Sequence, residues 1–305
     1  MAKLYYEPQD AAAVLAGGGL LAFGTETVYG LGADARDGGA VARIFAAKGR
    51  PQFNPLIIHV FDREEAGRIA TFSAAADRLS ARFWPGPLTL ILPLRPGHGL
   101  SPLVSAGLPT VAVRVPAHPG AQALLRAFGG PVAAPSANPS GRISPTRAVH
   151  VMASLGDRID GVLEGGAATV GLESTIVVPG PPPILARAGG VAEVALAAAL
   201  GQPLGRPEVG AAVTAPGQLL SHYAPAAALR MDANAPRSGE FMIGFGPVAG
   251  DITLSKVGDL IEAAATLFDA LHTADATRRP IAVAPIPEVG LGQAINDRLR
   301  RAAAG

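Results

Sequence analysis

Two cationic side chains and an amide lie close together in one short turn of this sequence. Lys48, Arg50 and Asn54 stand between a run of helix-forming residues and an apolar stretch, residues 56–60, that is typical of a buried strand. Gly49 suits the end of the helix, and two prolines stiffen the turn. Ammonium and guanidinium groups pair with phosphate and carboxylate oxygens, so the turn suits an anion-binding site. The alternative is a helix end at which the cations only stabilise the helix dipole.

Arg114 lies within an otherwise apolar stretch, residues 110–115, whose small and β-branched residues predict a strand. Such an arginine is expected to be buried, and a buried guanidinium needs an anionic partner. That partner is either an internal carboxylate, such as Glu173, or the carboxylate or phosphate of a ligand. The residues alone leave both alternatives open.

Other polar side chains stand in Gly- and Pro-rich loops or at strand ends. Thr27, Ser136 and Asn138 are explained equally well by hydrogen bonds within ordinary turns and by contacts to a ligand. Ser144 suits a helix cap as well as a ligand contact, and His59 is more typical of a satisfied core histidine. The sequence has no phosphate-binding loop, dinucleotide fingerprint, nucleophile elbow or metal-spaced His cluster. These residues together suit the binding of a polyanion and a zwitterion without a covalent nucleophile.

The composition indicates what kind of protein positions these side chains. The chain has 305 residues, 49% of them hydrophobic, so it supports a substantial core. Its net charge of +1 gives no overall attraction to nucleic acid or to an anionic membrane. Cysteine is absent, which excludes disulfides and thiol catalysis. With no signal-peptide-like start and no uninterrupted apolar run of about 18 residues, we predict a soluble, cytoplasmic protein without membrane association.

Strands and helices alternate along the chain, which predicts an α/β fold in two domains. The first, residues 1–205, is predicted to contain helices at 8–16, 40–47, 74–83, 120–128 and 191–200, strands at 20–23, 56–60, 88–92, 110–115, 132–134, 161–163 and 174–178, and a loop at 24–32. The second, residues 229–305, is predicted to contain strands at 241–245 and 281–285 and helices at 260–271 and 291–303. Residues 206–228, rich in Gly, Pro and Ala, predict a linker.

The order of several short motifs resembles the Sua5/YrdC/YciO family. The motifs are Thr-Glu-Thr-Val-Tyr-Gly-Leu-Gly at 25–32, Lys-Gly-Arg-Pro at 48–51, Asn-Pro-Leu-Ile at 54–57, Phe-Trp-Pro-Gly-Pro-Leu-Thr at 83–89, Val-Ala-Val-Arg-Val-Pro at 111–116, Ala-Pro-Ser-Ala-Asn at 134–138 and Glu-Ser-Thr-Ile-Val at 173–177. The paired Lys-x-Arg and Ser-x-Asn motifs are the signature of the family. His-Tyr-Ala-Pro at 222–225 is similar to the linker of its longer, Sua5-type members.

The resemblance implies a fold and an activity. The fold would be an open, twisted, mixed sheet with a concave, positively lined cavity, followed by a small Rossmann-like α/β domain. The activity would be that of an L-threonylcarbamoyladenylate synthase, a nucleotidyltransferase that makes threonylcarbamoyl-AMP and pyrophosphate from L-threonine, bicarbonate or CO2, and ATP. A separate transferase would then use the product to make N6-threonylcarbamoyladenosine in tRNA. The alternatives are an RNA-binding module of the same fold without this chemistry, weak RNA binding being expected at most, and a YciO-like relative with another substrate.

The resemblance also implies roles for individual residues. It assigns ATP binding to Lys48, Arg50, Asn54, Thr110, Ser136, Asn138, Ser144, Arg187 and Tyr223, and threonine binding to Thr27, His59, Arg114, Ala134 and Ser174. Lys48 and Arg50 would stabilise charge during catalysis, and Arg114 would take the threonine carboxylate. Mg2+ would accompany ATP, held mainly by the phosphates with few protein ligands. The linker at 206–228 is expected to close over ATP as a lid, the alternative being a passive spacer.

Overall fold

The computed structural model describes residues 1–208 and 222–304, and these residues form two β-sheets flanked by helices. The strands of the first sheet are β1 (Lys3–Tyr5), β2 (Leu21–Phe23), β3 (Gly30–Asp34), β4 (Ile57–His59), β5 (Leu88–Pro93), β6 (Thr110–Arg114), β7 (Val132–Ala133), β8 (Gly161–Leu163), β9 (Thr175–Val178) and β10 (Ile184–Arg187). The helices along the same part of the chain are α1 (Pro8–Ala16), α2 (Gly38–Lys48), α3 (Arg63–Ile69), α4 (Ala74–Phe83), α5 (Pro102–Ser105), α6 (Pro119–Phe128), α7 (Ala148–Leu155) and α8 (Glu193–Leu200).

The second sheet is formed by the C-terminal part of the chain. Its elements are β11 (Leu229–Arg230), β12 (Phe241–Gly244), β13 (Ile252–Thr253), α9 (Leu260–Ala276), β14 (Ile281–Val283) and α10 (Gly292–Ala303). The strand order is β11-β14-β12-β13, and all three strand pairs are parallel. The predicted βαβα pattern is therefore confirmed, with two short strands added to it.

The first sheet mixes parallel and antiparallel pairs in the order β1-β8-β2-β3-β7-β4-β6-β5-β9-β10. Parallel pairing of β4 with β6 sets His59 opposite Arg114, and antiparallel pairing of β5 with β6 sets Thr89 opposite the same arginine. Three polar side chains thus meet at one end of neighbouring strands. The predicted α/β class, with a mixed sheet and a second smaller sheet, is confirmed.

The side-chain alternation of the strands separates the main core from the site. Ile58 and Val113 belong to the main hydrophobic core, whereas their neighbours Ile57 and Ala112 pack in a small cluster on the opposite face. Because side chains alternate between faces with a period of two, His59 and Arg114 project on the same face as this small cluster. The polar side chains therefore share the face that the main core leaves uncovered.

Local sequence signals explain the turn between α2 and β4. The carboxylate of Asp37 caps α2 by accepting hydrogen bonds from the backbone N–H groups of Gly39 and Ala40. Gly49 ends the helix in the left-handed conformation, at φ 61°, which a glycine adopts without a steric cost. The chain reverses there, so that Lys48 and Arg50 lie beside the strands.

The two sheets are joined by packing and by polar contacts. Val28 and Leu172, from loops of the first sheet, belong to the same hydrophobic cluster as Phe268 on α9. Arg147 forms an ion pair with Asp269 of α9 at 2.8 Å. The loops that follow the first sheet's strands thus lie against the second sheet's helices.

Three parts of the sequence-based prediction need correction or stay open. The predicted loop at 24–32 is wrong beyond residue 29, because the small residues of β3 allow close pairing with β2 and β7. The prediction omitted β1, β10, α3 and α5, which are short and carry weak periodicity, and it gave no bounds for α7. Residues 209–221 of the predicted lid lie outside the described residues, and the domain boundaries remain a prediction.

Candidate active site

A narrow cavity of about 40 Å³ lies where the ends of the strands meet the second sheet's domain. Its walls come from loops after β2, β7 and α2 and before β9, from β3, β4, β6 and β10, and from the His222–Tyr223 segment. The lining residues are Thr25, Thr27, Val28, Gly30, Arg50, Ile57, His59, Arg114, Ala134, Pro135, Ser136, Glu173, Ser174, Arg187, His222 and Tyr223.

Arg114 is held in the cavity wall by three acceptors. Its guanidinium donates to the carboxylate of Glu26 at 2.6 Å, to the hydroxyl of Thr27 at 2.8 Å and to the carbonyl of Gly86 at 3.2 Å. Burial raises the pKa of Glu26, but the charge and hydrogen bond of Arg114 outweigh burial and leave that pKa below its usual value. The internal partner suggested for Arg114, Glu173, is wrong, since Glu26 takes that place.

His59 lies beside Arg114 with a buried nitrogen that has no hydrogen-bond partner. This atom, Nδ1, is one of the unpaired buried polar atoms of the described residues. Burial, and then the charge of Arg114, lower the pKa of His59 to about 3, so the ring is neutral. A neutral imidazole with a free nitrogen in a cavity wall is a hydrogen-bonding group for a ligand. His59 is therefore not the satisfied core residue that its position in the sequence favoured.

Ser174, which directly precedes β9, joins the same wall. Its hydroxyl lies 2.7 Å from that of Thr89 on β5. Arg187 on β10 donates to the backbone carbonyl of Ser174 at 2.8 Å and to its hydroxyl at 3.2 Å. The serine is thus fixed by two neighbouring strands, with its hydroxyl at the cavity surface.

Lys48 ties the end of α2 to the Ser-x-Asn loop. Its ammonium donates hydrogen bonds to the backbone carbonyl of Ser136, at 2.6 Å, and to that of Asn138. The amide of Asn138 in turn donates to the carbonyls of Pro139 and Arg142, at 3.1 and 2.7 Å. Burial, and then the charge of Arg50, lower the pKa of Lys48 well below its usual value. Lys48 and Asn138 therefore hold the loop that carries Ser136 to the cavity.

Arg50 and Arg187 place two buried guanidinium groups on the cavity wall. Arg50 donates to the carbonyl of Pro55 at 2.9 Å and, more weakly, to that of Asn54 at 3.3 Å. Burial, and then repulsion from Arg187, lower the pKa of Arg50 to about 10. Two mutually repelling cations in a buried wall favour the binding of an anion between or beside them.

Glu173 brings a negative charge to the same wall, and both of its oxygens are engaged. One accepts a hydrogen bond from the hydroxyl of Ser144 at 2.5 Å, and the other pairs with Arg298 of α10 at 2.8 Å. Burial raises the pKa of Glu173, but the charges of Arg298 and Arg187 outweigh burial and leave it lowered. Ser144 therefore does not cap α7, which has no side-chain cap at its N-terminus.

Tyr223 and His222 close the remaining side of the cavity. Tyr223 is buried, its hydroxyl has no hydrogen-bond partner among the described residues, and its backbone has a left-handed φ of 63°. Its ring lies 4.0 Å from that of His222, centroid to centroid. A left-handed tyrosine carries local backbone strain, and such strain is concentrated at functional sites.

The cavity collects most of the residues that the sequence singled out. All five residues assigned to threonine, namely Thr27, His59, Arg114, Ala134 and Ser174, line it. So do four of those assigned to ATP, namely Arg50, Ser136, Arg187 and Tyr223. Lys48, Asn138 and Ser144 lie in the layer behind them and bond to lining residues or to their loop. Asn54 offers its carbonyl to Arg50, and Thr110 begins β6 outside the cavity wall.

Sequence reasoning missed two charged residues of this site. Glu26 entered only as part of a polar motif, although it directly precedes Thr27. The helical spacing of apolar residues around Arg298 gives a weak indication that this residue is buried. Ile295, Leu299 and Ala302 define the buried face of α10, and residue 298 falls beside this face at helical spacing.

Comparison with known families agrees with this geometry. A family model described as telomere recombination, covering Sua5, YciO and YrdC proteins, matches residues 13–189. A second model, described as the C-terminal domain of threonylcarbamoyl-AMP synthase, matches residues 191–304. The chain belongs to the Sua5/YrdC/YciO family. The second match places it among the longer, Sua5-type members.

Full-length relatives support the assignment to this family. A Bacillus subtilis protein named threonylcarbamoyl-AMP synthase is 41% identical, and the match covers 98% of this chain and 94% of the relative. A Pyrococcus abyssi protein of the same name is 40% identical over 96% of this chain and 92% of the relative. A shorter Halorhodospira halophila protein, also so named, is 41% identical over 52% of this chain and 83% of its own length.

Solved structures agree with the fold. The crystal structure of P. abyssi Sua5 complexed with L-threonine matches with a TM-score of 0.90 at 37% identity, covering 100% of this chain and 98% of that one. Escherichia coli YciO matches 62% of this chain with a TM-score of 0.57 at 23% identity, which shows a similar fold for that part of the chain alone.

Proposed function

We propose that this Sua5-family enzyme is an L-threonylcarbamoyladenylate synthase of the nucleotidyltransferase class. The observation that carries the proposal is that hydroxyl, imidazole and guanidinium groups suited to an amino acid line the same cavity as two further buried arginines. Its substrates would be L-threonine, bicarbonate or CO2, and ATP. The names of the full-length relatives and the threonine complex of P. abyssi Sua5 support the same choice.

Threonine would bind at the strand ends of β4, β6 and β9. The guanidinium of Arg114 retains N–H groups beyond those given to Glu26, Thr27 and Gly86, and these suit a carboxylate. The unpaired Nδ1 of His59 and the hydroxyl of Ser174 would orient the amine and side chain. Because Glu26 already neutralises its charge, Arg114 would bind a carboxylate mainly through the N–H groups of its planar guanidinium and less through its net charge.

ATP would bind on the side of Arg50, Arg187 and Ser136. The two guanidinium groups lie where a triphosphate can relieve their mutual repulsion. Ligand pockets usually hold about 300–1,000 Å³, far more than this cavity. Binding of ATP therefore requires this cavity to widen, and the unpaired hydroxyl of Tyr223 in its wall would be available to the nucleotide.

Mg2+ is proposed to enter with ATP and to remain on its phosphates. Within residues 1–208 and 222–304, no three His, Asp or Glu side chains are grouped so as to hold a metal ion. The two acidic residues next to the cations, Glu26 and Glu173, are already ion-paired with arginines. The ion would supply charge neutralisation on the triphosphate, while the protein supplies the arginines and the positioned loop.

The proposed reaction needs positioning more than a protein nucleophile. The threonine amine adds to CO2 and loses a proton, giving a carbamate. A carbamate oxygen then attacks the α-phosphorus of ATP, and the bond to the pyrophosphate breaks. Arg50 would stabilise the charge that develops on the leaving group. Lys48 would act through the Ser136 loop, whose carbonyls it binds.

The test is a pyrophosphate-release assay with purified protein, ATP, Mg2+, bicarbonate and L-threonine. Release should require both threonine and bicarbonate, and mass spectrometry should detect threonylcarbamoyl-AMP. Pyrophosphate release that is independent of threonine, or its absence in the complete mixture, would contradict the proposal. Tight RNA binding without any turnover would favour the RNA-binding alternative instead.

The proposed activity implies partners for this chain. A threonylcarbamoyl-AMP synthase needs a downstream transferase that moves the acyl group to tRNA, and such transfer would place both enzymes with tRNA in the cytoplasm. No helix among residues 1–208 and 222–304 has the length and apolar character to cross a membrane. The net charge of +1 gives no overall attraction to RNA, so RNA binding by this chain alone would be weak.

A further inference from the structure

Arg298 is the largest fully buried side chain of the described residues, and it belongs to the second sheet's layer. It extends from α10 toward the cavity wall of the first sheet. Its guanidinium donates to Glu173 at 2.8 Å, to the carbonyl of Ala188 at 2.9 Å and to Asp297 at 2.6 Å. Three acceptors from two parts of the chain fix one guanidinium in place.

The same guanidinium supports the aromatic side of the cavity. Its central carbon lies 5.0 Å from the ring centroid of Tyr223, a cation–π distance. The backbone N–H of His222, one residue earlier, donates to the carbonyl of Arg301 on α10 at 3.3 Å. The end of α10 thus holds both the ring and the backbone of the segment that closes the cavity.

The negative charge of Glu173 indicates what the contact with Arg298 does for the cavity. Glu173 lines the cavity next to Arg187, where a bare carboxylate would repel a phosphate and would compete with it for the arginine. Arg298 neutralises this carboxylate from behind, while Ser144 occupies its other oxygen. The cavity then presents less negative charge to an anionic ligand.

We propose that Arg298 is a positioning residue of the active site, through which the second sheet's domain sets the nucleotide side of the cavity. It does so by neutralising Glu173 and by supporting Tyr223, and it does not touch substrate itself. This inference rests on the proposed function for the identity of the ligand, ATP. It gives the C-terminal domain a part in nucleotide binding, exerted through Glu173 and Tyr223.

The test compares Arg298→Met with Arg300→Met in the full-length protein. Arg300 lies on the same helix, but it is exposed and pairs with the exposed Glu288. Calorimetry with ATP alone should show that Arg298→Met raises the Kd about tenfold or more, because truncating one member of a buried pair leaves the other uncompensated. Arg300→Met should bind ATP as the unchanged protein does, and the KM for threonine should change much less than that for ATP.

The double variant Arg298→Met, Glu173→Gln separates positioning from a purely structural role. Removing the uncompensated carboxylate should restore most of the lost ATP affinity, since the amide oxygen that replaces it still accepts a hydrogen bond from Ser144. Equal ATP affinity of Arg298→Met and the unchanged protein would overturn the inference. A loss that the double variant does not recover, with threonine affinity and thermal stability falling in parallel, would also overturn it.

Two further measurements keep the test decisive. If Arg298→Met does not fold, Arg298→Lys takes its place, since lysine keeps the charge but cannot bind three acceptors. This variant should raise the ATP Kd at least about threefold above that of the unchanged protein, and an unchanged Kd would overturn the inference. Failure of the proposed function is distinguishable, since it appears as absent pyrophosphate release in the unchanged protein. The calorimetric comparison with ATP tests Arg298 without relying on turnover.

Discussion

The guanidinium of Arg114 lies 2.6 Å from a carboxylate oxygen of Glu26, and both side chains are buried. Their backbones are 88 residues apart in the sequence. The pair fixes the plane of the guanidinium, and Arg114 lines the cavity. A ligand carboxylate would therefore meet an oriented fork whose charge is already balanced.

Arg114→Lys should weaken threonine binding. A lysine keeps the positive charge, but it cannot bind Glu26, Thr27 and a ligand carboxylate with one planar group. Losing one charge-assisted hydrogen bond costs about 1.5–3 kcal/mol, so the Kd should rise about tenfold or more. Isothermal titration calorimetry with L-threonine measures this change.

The matched control is Arg36→Lys, which alters an exposed arginine–aspartate pair outside the cavity wall. Exposed pairs contribute at most about 1 kcal/mol, and threonine binding should not change. Normal threonine binding by Arg114→Lys would mean that Arg114 only stabilises the fold, with Glu26 as its partner.

Arg50→Ala should slow pyrophosphate release with little effect on folding. The side chain makes two hydrogen bonds to backbone carbonyls, whose loss costs stability, but it is also repelled by Arg187, and relief of this repulsion offsets that cost. Loss of a charge-stabilising donor costs on the order of 2–4 kcal/mol at the transition state. Initial rates of pyrophosphate release at saturating threonine measure the effect.

Arg43→Ala is the control for this variant. Arg43 projects from the neighbouring helix, α2, and pairs with Asp160 on the exposed surface. Its loss should leave the rate unchanged, and a rate for Arg50→Ala equal to that of Arg43→Ala would remove Arg50 from the catalytic group.

Tyr223→Phe should lower ATP affinity without lowering the free energy of unfolding. The hydroxyl of Tyr223 is buried without a partner among the described residues, so its removal costs no hydrogen bond there. A hydrogen bond to a charged ligand is worth about 1.5–3 kcal/mol, and the KM for ATP should rise about tenfold. Denaturant unfolding and steady-state kinetics on one preparation measure both quantities.

Tyr29→Phe is expected to differ from Tyr223→Phe in its effect on the free energy of unfolding. The hydroxyl of Tyr29 donates to the carbonyl of Gly166 at 2.8 Å and accepts from the N–H of Gly165 at 3.0 Å. Its loss leaves a buried donor or acceptor unpaired and should lower the free energy of unfolding by about 1–3 kcal/mol. Equal unfolding energies for the two variants, or an unchanged ATP KM in Tyr223→Phe, would argue against a ligand for the Tyr223 hydroxyl.

The stability of the protein should fall as the pH is lowered below about 6.5. Burial, and then Arg114, lower the pKa of His59 to about 3; burial above all lowers that of His222 to about 3 as well. In the unfolded chain both titrate near 6.5, so between these values the unfolded chain binds more protons than the folded one. Each histidine then removes up to about 1.4 kcal/mol of stability per pH unit.

Denaturant unfolding at pH values of about 7.5, 6.5 and 5.5 measures the slope. His59→Gln and His222→Gln should each reduce it, and the double variant should reduce it further. A slope that stays unchanged in the double variant would mean that these rings are protonated in the folded protein.

The turn at Lys48 and Arg50 could be predicted because its signals are local. A helix former, a glycine cap, two prolines and an apolar strand follow one another within a few residues. β3 could not be predicted in the same way. Its residues Gly30, Gly32 and Ala33 carry little strand propensity, and their pairing depends on the close approach of β2 and β7.

The ion-pair partners at the site could not be predicted for a different reason. Arg114 was expected to need an anion, which is correct, but nothing in the local sequence distinguishes Glu26 from Glu173. Glu173 finds its partner 125 residues later, in another sheet's layer. Such pairings depend on the packing of whole domains, and residue spacing carries no information about that.

The position of α8 has a consequence for how such a protein is put together from parts. Leu196, Leu200 and Leu204 pack in the main core of the ten-stranded sheet, although the C-terminal family model begins at residue 191. A genetic exchange of the C-terminal module at this junction would remove three leucines that cover the first sheet. Burial of each leucine contributes about 1.5–3 kcal/mol to stability. A replacement module must therefore supply its own apolar side chains to cover that surface. The two halves of the chain share one hydrophobic layer, and we therefore expect them to be inherited together.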